Sequence, residues 1–313
     1  MKKTLLAMSS LPPECMAALE GRFKILRLNK EADPEAVLRE HSADVVGLLS
    51  AYTVPVTRRL IEAFPNLEIV AVNGVGFDHV DLVAAQERGV VVTNTPGVLT
   101  DETADTALSL ILAVAKRVCE ADMYVRVGKW LNGPMPLGTS LYGKTVGIVG
   151  LGGIGQAIAR RCEAFEMNVV YHGPREKPDL PYMYYADVKD MAMDCDFLVL
   201  ACPGGAETKG MIDYEVLEAL GPKGFLINIA RGSVVNEEDL VLALKNRVIA
   251  GAGLDVYARE PHVPQDLISM DNVVLLPHIG SATIETRGRM AQLVVDNLLA
   301  HFDGQPLKTP VAA

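Results

Sequence analysis

Four stretches of this chain carry residue types suited to chemistry. They are Gly150-Leu151-Gly152-Gly153-Ile154-Gly155, Asn228-Ile229-Ala230-Arg231-Gly232, Gly253-Leu254-Asp255-Val256-Tyr257-Ala258-Arg259-Glu260-Pro261 and Leu275-Leu276-Pro277-His278-Ile279-Gly280. In the first, Gly150 permits a tight turn, Gly152 leaves the backbone open to a pyrophosphate, and Gly155 lets a following helix pack close to its strand. Free N–H groups and the dipole at that helix start favour an anion. Gly-x-Gly-x-x-Gly also occurs in plain turns. Here an apolar strand, Thr145 to Val149, precedes it and a helical stretch from Gln156 to Arg161 follows, the context that dinucleotide binding requires. In the other three, His278 supplies an imidazole, the side-chain type suited to giving or taking a proton near neutrality, and Arg231 offers a permanently charged fork of donors. Glu260 and Asp255 are carboxylates. Taken singly, each has an ordinary structural reading: His278 as a satisfied buried histidine, Arg231 as an ion-pair residue, Asp255 as the cap of a turn.

The elements that must position these residues are read from alternation. Apolar runs at Lys3 to Met8, Phe23 to Leu28, Asp44 to Leu49, Leu67 to Asn73 and Val90 to Asn94 predict strands. Helical stretches fall between them at Pro12 to Glu20, Asp33 to Glu40, Val56 to Ala63 and Asp81 to Arg88. Such alternation implies a parallel sheet with both faces covered. A helix follows over Asp101 to Val118. A second series then begins at the glycine turn, with strands at Val169 to Tyr171, Phe197 to Leu200, Gly224 to Ile229, Ala250 to Asp255 and Val273 to Leu276. The last helix, Glu285 to Ala300, is expected to return to the first domain. The fold class is therefore α/β, two doubly wound (Rossmann/flavodoxin-like) parallel-sheet domains with a cleft between them. Residues 1–97 plus 286–313 are expected to form the substrate-binding domain and residues 98–285 the dinucleotide-binding domain. No floppy connection joins them, which suggests a hinge.

Composition narrows the function. With 313 residues, half of them hydrophobic, and a net charge of -10, the chain lacks the clustered Lys and Arg that a nucleic acid needs. No apolar run is long enough for a bilayer, and the run after Met1-Lys2-Lys3 soon meets Pro12-Pro13, so it reads as a strand rather than a signal peptide. Five scattered cysteines, Cys15, Cys119, Cys162, Cys195 and Cys202, suit a reducing cytoplasm and give no metal or disulfide pattern. The glycine turn lacks the Lys-Ser or Lys-Thr of a P-loop, which argues against a phosphotransferase.

A site preferring NAD usually has Asp or Glu about 20 residues beyond the first glycine. Here the segment is Tyr171-His172-Gly173-Pro174-Arg175-Glu176-Lys177, with no carboxylate at the strand end. Arg175 and Lys177 would both welcome a 2′-phosphate, so NADP is expected, with NAD as the weaker alternative. The other reading is that both are ordinary surface charges.

Together with Asn94-Thr95-Pro96-Gly97-Val98-Leu99-Thr100-Asp101 and Ser281-Ala282-Thr283-Ile284-Glu285-Thr286-Arg287, the four stretches resemble the D-isomer-specific 2-hydroxyacid dehydrogenases, particularly their glyoxylate/hydroxypyruvate and hydroxyphenylpyruvate reductase branch. The resemblance covers nearly the whole chain. It implies an oxidoreductase that reduces small 2-oxo acids without a metal. Arg231 would hold the oxo acid, His278 would donate the proton, and Glu260 would pair with that histidine. Chemistry supports those roles, because hydride addition to a ketone leaves charge on its oxygen and an acid must neutralise it. By the same resemblance Asp255 contacts the nicotinamide amide, and the backbone of Val75 and Gly76 holds the substrate carboxylate, with Tyr52 near the pocket. Further cofactor contacts are implied at Thr103, His172, Gly173, Pro174, Cys202, Pro203, Thr208, Ile229, Ala230 and Gly280. The stretch around Trp130 reads either as a dimer arm or as a loop packed on its own chain; if, as the resemblance implies, the Trp130 to Leu137 arm crosses a homodimer interface, Met135 or Leu137 would close the partner's pocket. Gly153 stands where many members carry a basic residue, so one phosphate contact would be missing. Acidic Glu260 disfavours formate dehydrogenase activity, and an end at Ala313 leaves no room for the regulatory domain of phosphoglycerate dehydrogenases. 2-Ketogluconate and hydroxyphenylpyruvate are rival substrates. A nucleotide-sensing binding protein of the same fold is the reading from a different class.

Overall fold

The computed structural model describes residues 2–28, 39–51 and 54–311. Tyr52 and nearly all of the helix expected over Asp33 to Glu40 lie outside them. The chain divides into two units, residues 1–99 with 281–313, and residues 100–280.

In the first unit, strands β1 (Thr4–Ala7), β2 (Lys24–Arg27), β3 (Val45–Ser50), β4 (Ile69–Val72) and β5 (Val91–Thr93) form a parallel sheet in the order β2-β1-β3-β4-β5. Helices α1 (Pro13–Arg22), α2 (Arg58–Glu62) and α3 (Leu82–Glu87) link them. Side chains alternate across each strand, so Leu6, Leu48 and Val70 pack with Ile61 and Phe64. Leu5, Leu49, Ile69 and Ala71 face the other way.

The second unit opens with α4 (Thr100–Lys116), which stops when Arg117 turns left-handed at φ 56°. The sequence places the end of this helix at Val118, close to the observed one, but does not predict the separate helix α5 (Val118–Arg126) that follows. Strands β6 (Thr145–Val149), β7 (Asn168–His172), β8 (Met183–Tyr185), β9 (Phe197–Leu200), β10 (Phe225–Asn228), β11 (Gly251–Leu254) and β12 (Val273–Leu275) form a seven-stranded sheet, ordered β12-β11-β10-β9-β6-β7-β8, with every pairing parallel. Helices α6 (Gly153–Ala164), α7 (Val188–Met193), α8 (Tyr214–Leu220), α9 (Glu237–Lys245) and α10 (Gln265–Ile268) connect the strands. Asp187, Asp213 and Asn236 cap α7, α8 and α9 through their side-chain oxygens, which satisfies backbone N–H groups that a helix start otherwise leaves unpaired.

Central strands of this sheet are buried on both faces, which is why they read as unbroken apolar runs. Leu198, Leu200, Leu226 and Leu254 face Val216, Leu217 and Leu240, while Ile148, Val199 and Ile227 face Leu110, Ile111 and Ile158. Each such leucine or isoleucine contributes about 1.5–3 kcal/mol on burial. The final helix, α11 (Ile284–Phe302), belongs to the first unit, where Val294, Val295 and Leu298 cover Leu5, Ile69 and Ala71. Among the described residues no helix is long and apolar enough to cross a membrane.

Candidate active site

In the seven-stranded sheet the chain runs outward from β6 to β7 and β8, then returns to the other side of β6 as β9. Ligands of open α/β sheets bind at such a reversal, beyond the carboxyl ends of the strands. The glycine turn lies there. Gly150 has φ 94°, and a Cβ on it would meet the Cα and N of Cys202, just past β9, at 2.7 Å. A Cβ on Gly155 would approach the Gly150 carbonyl oxygen within 2.2 Å, so only glycine lets α6 start this close to the turn. Gly152, by contrast, faces open space, with nothing within 4 Å of a Cβ position. That combination, a packed turn with one bare side at a helix N-terminus, fits a pyrophosphate. Past β7, Arg175 is exposed and makes no hydrogen bond or ion pair among the described residues. It suits a phosphate on a ribose.

β10, β11 and β12 are adjacent and in register, Asn228 beside Leu254 and Leu254 beside Leu275. Arg231, Asp255, Glu260 and His278 therefore emerge at neighbouring strand ends. Asn228 is 1% exposed, and its amide folds the segment beyond β10: Nδ2 donates to the Arg231 carbonyl at 2.9 Å and Oδ1 accepts the Ala230 N–H at 3.0 Å. Gly232 is required here, because a Cβ would lie 1.9 Å from the carbonyl carbon of Tyr257. This close contact ties the Arg231 turn to the segment leading to Glu260.

Glu260 Oε2 lies 2.7 Å from His278 Nδ1, and its other oxygen accepts the Tyr257 N–H at 3.1 Å. Side-chain exposures of 19% and 22% leave the pair reachable from solvent. His278 adopts φ 55°, a left-handed conformation that costs a non-glycine residue on the order of 1 kcal/mol. Asp255 holds it there. Its carbonyl accepts the His278 N–H at 3.0 Å, and its carboxylate accepts those of Ile279 at 2.7 Å and Gly280 at 2.8 Å. Burial pushes the Asp255 carboxyl above its ordinary value, although the two backbone N–H bonds pull it down. The Tyr257 hydroxyl donates to the Leu276 carbonyl at 2.9 Å, and burial raises that phenol to about 12.

The remaining expected residues are placed as follows. Ile229 and Ala230 are buried between Asn228 and Arg231. Thr103 is buried in the first turn of α4, its methyl 3.5 Å from a Cβ position on Gly280. Thr208 Oγ1 donates to the Pro203 carbonyl at 2.8 Å, closing the loop after Cys202. The Cys202 thiol is pushed up to about 11 by burial. His172 Nδ1 lies 3.0 Å from the Tyr185 carbonyl oxygen, and the Gly173 carbonyl accepts the Tyr184 hydroxyl at 3.1 Å. Leu151 is buried, and Ile154 is the second residue of α6. In the first unit, Val75 and Gly76 follow β4 in a loop held by Asn94, whose Nδ2 donates to the Val75 carbonyl at 2.8 Å. Sequence reasoning did not single out Asn228 or Tyr257; an asparagine closing a strand just before an arginine was the available signal.

The sequence model for the NAD-binding domain of D-isomer-specific 2-hydroxyacid dehydrogenases matches residues 108–280. The chain is 48% identical over 293 residues to a glyoxylate/hydroxypyruvate reductase of Arabidopsis thaliana, with 94% of each chain covered. It is 50% identical over the same length to a hydroxyphenylpyruvate reductase of Plectranthus scutellarioides, again covering 94% of each. Among solved structures, it matches an NADPH-dependent glyoxylate/hydroxypyruvate reductase of Sinorhizobium meliloti, in complex with NADP and malonate, with a TM-score of 0.92 and 44% identity over 100% of this chain and 97% of that one. This chain belongs to the D-isomer-specific 2-hydroxyacid dehydrogenase family.

Proposed function

We propose that the protein reduces small 2-oxo acids, glyoxylate and hydroxypyruvate first among them, to D-2-hydroxy acids with NADPH. The observation that carries this is the 2.7 Å Glu260–His278 pair, one strand from the Arg231 turn in the unit that also bears the glycine turn. When bound, NADPH supplies the hydride. Arg231 holds the substrate carboxylate and carbonyl, because its planar fork matches two oxygens at once. The backbone N–H groups of Val75 and Gly76 take the carboxylate too. With Nδ1 turned to Glu260, His278 gives its proton to the carbonyl oxygen from the opposite ring nitrogen. Glu260 fixes that orientation and stabilises the charged ring, and the Tyr257 N–H in turn fixes Glu260. Asp255 contacts the nicotinamide amide, and Thr103, Pro203, Thr208 and Gly280 contribute further cofactor contacts; Gly152 and the start of α6 take the pyrophosphate, and His172, Gly173, Pro174 and Arg175 the phosphorylated ribose.

We further infer a homodimer in the cytoplasm. None of the residues of helix α5 is buried, and Met123, Val125, Val127, Trp130, Leu131 and Leu137 are all exposed on it or nearby, the last two at 91% and 93%. A second copy is the natural cover for such a surface, with Met135 or Leu137 reaching the partner's pocket. Five unpaired thiols suit a reducing compartment.

The test is NADPH and NADH oxidation at ~340 nm, the reduced-nicotinamide band, against glyoxylate, hydroxypyruvate, pyruvate, 2-ketogluconate and hydroxyphenylpyruvate. Turnover of glyoxylate or hydroxypyruvate with NADPH is expected, and His278→Ala should keep NADPH binding while losing about 10²-fold or more in kcat. Equal or tighter NADH binding, or a His278→Ala variant with near-normal turnover, would overturn the reading.

A further inference from the structure

One of the two cations after β7 that sequence alone offers to the 2′-phosphate is already engaged elsewhere. Lys177 Nζ donates to the Leu151 carbonyl at 2.6 Å, and Gln156 Nε2 reaches the same oxygen at 3.2 Å. The Lys177 backbone N–H also donates to the hydroxyl of buried Tyr171 at 2.6 Å. At the other end of the loop, Tyr184 donates to the Gly173 carbonyl at 3.1 Å. The segment is thus pinned at both ends, with Pro174, Arg175 and Glu176 exposed between.

In a trans peptide the C=O and the following N–H point in opposite directions. A Leu151 carbonyl held by Lys177 and Gln156 therefore turns the Gly152 N–H away from them. Gly152 itself has an open side, and its carbonyl accepts the Gln156 N–H at 2.9 Å as α6 begins. We propose that Lys177 is a positioning residue for the pyrophosphate site: it sets the Leu151–Gly152 peptide so that the Gly152 N–H is presented to the anion, and it takes no part in discriminating the 2′-phosphate. That discrimination rests on Arg175 alone of the two cations. The inference depends on the glycine turn binding a dinucleotide, as proposed above.

The two roles for Lys177 separate in a binding measurement. A phosphate contact favours NADP⁺ only, whereas a peptide clamp acts on a group that NADP⁺ and NAD⁺ share. Dissociation constants for both are measured by isothermal titration calorimetry on wild type, Lys177→Met and Arg175→Ala, with thermal melting to verify the fold. In Lys177→Met both constants should rise by a common factor on the order of tenfold, as expected for losing one hydrogen bond from a charged group, with their ratio kept within about twofold. Lys177→Arg, which retains a donor, should recover most of the loss. Arg175→Ala should weaken NADP⁺ and leave NAD⁺ unchanged. Selective loss of NADP⁺ in Lys177→Met would overturn the proposal, as would unchanged binding of both. Should Lys177→Met fail to fold, Lys177→Gln carries the same comparison. A wild-type protein that binds neither nucleotide would instead remove the dinucleotide reading itself.

Discussion

Replacing Asn228 by alanine tests whether the arginine is held by the amide beneath it. The Ala230 N–H is in a residue 5% exposed, so losing the Asn228 Oδ1 acceptor strands a buried donor, at a cost of about 1–3 kcal/mol. The Arg231 carbonyl belongs to a half-buried residue that water can reach, so loss of the Nδ2 bond adds only about 0.5–1.5 kcal/mol. Together the truncation should destabilise the second unit by about 1.5–4.5 kcal/mol and release the Arg231 turn. A displacement near 1 Å in a substrate-binding group can lower the rate on the order of a hundredfold, so kcat/KM for glyoxylate should fall about ten- to a hundredfold. The assay is steady-state NADPH oxidation on Asn228→Ala, Arg231→Ala and the double variant, with circular dichroism to establish that each is folded. If Asn228 acts through Arg231, its loss adds no more than about threefold in a protein already lacking the arginine, the non-additivity expected of coupled residues. Fully additive effects, or a single variant within twofold of wild type, would refute the reasoning.

Other consequences are as open to measurement. Gly150→Ala forces a side chain onto φ 94° and into the Cys202 backbone, which should cost about 2–6 kcal/mol from strain and overpacking and lower NADP⁺ affinity; an unchanged melting temperature would contradict the close approach. The Cys195 thiol is raised from 9.0 to about 12 by burial. Its folded value exceeds its unfolded one, so its contribution is fully present below pH 9 and is lost as the pH rises through that window. Chemical unfolding followed from pH 7 to pH 10 should show a stability loss smaller by on the order of 1 kcal/mol in Cys195→Ala than in wild type, and identical losses would exclude the shift. Light scattering should give twice the 33.7 kDa chain mass for wild type and the single mass for a Leu131→Glu, Leu137→Glu variant. A monomeric wild type removes the proposed interface.

What the sequence made legible, and what it hid, follows from how local each cause is. Strands such as Phe197–Leu200 stand out because both faces are buried and every position must be apolar. Edge strand β8 has one exposed and two half-buried residues, so its composition carries no such signal. Helix α5 is hidden for a different reason: the sequence ends the preceding helix near Val118, but neither glycine nor proline marks a new start, and Arg117 takes the left-handed turn while pairing with Glu120 at 2.6 Å. In the site, residue types announced themselves one by one, but their relations did not. Glu260 and His278 are 18 positions apart and meet because β11 and β12 are parallel neighbours. The left-handed backbone of His278 is bearable only because a buried carboxylate 23 residues earlier accepts the next two N–H groups. Lys177 shows the same limit most sharply. A positive charge near a predicted ribose site reads as a phosphate ligand, yet a lysine side chain is long enough to turn back on the glycine turn, and its 2.6 Å bond to Leu151 is a relation between two loops that no spacing along the chain encodes.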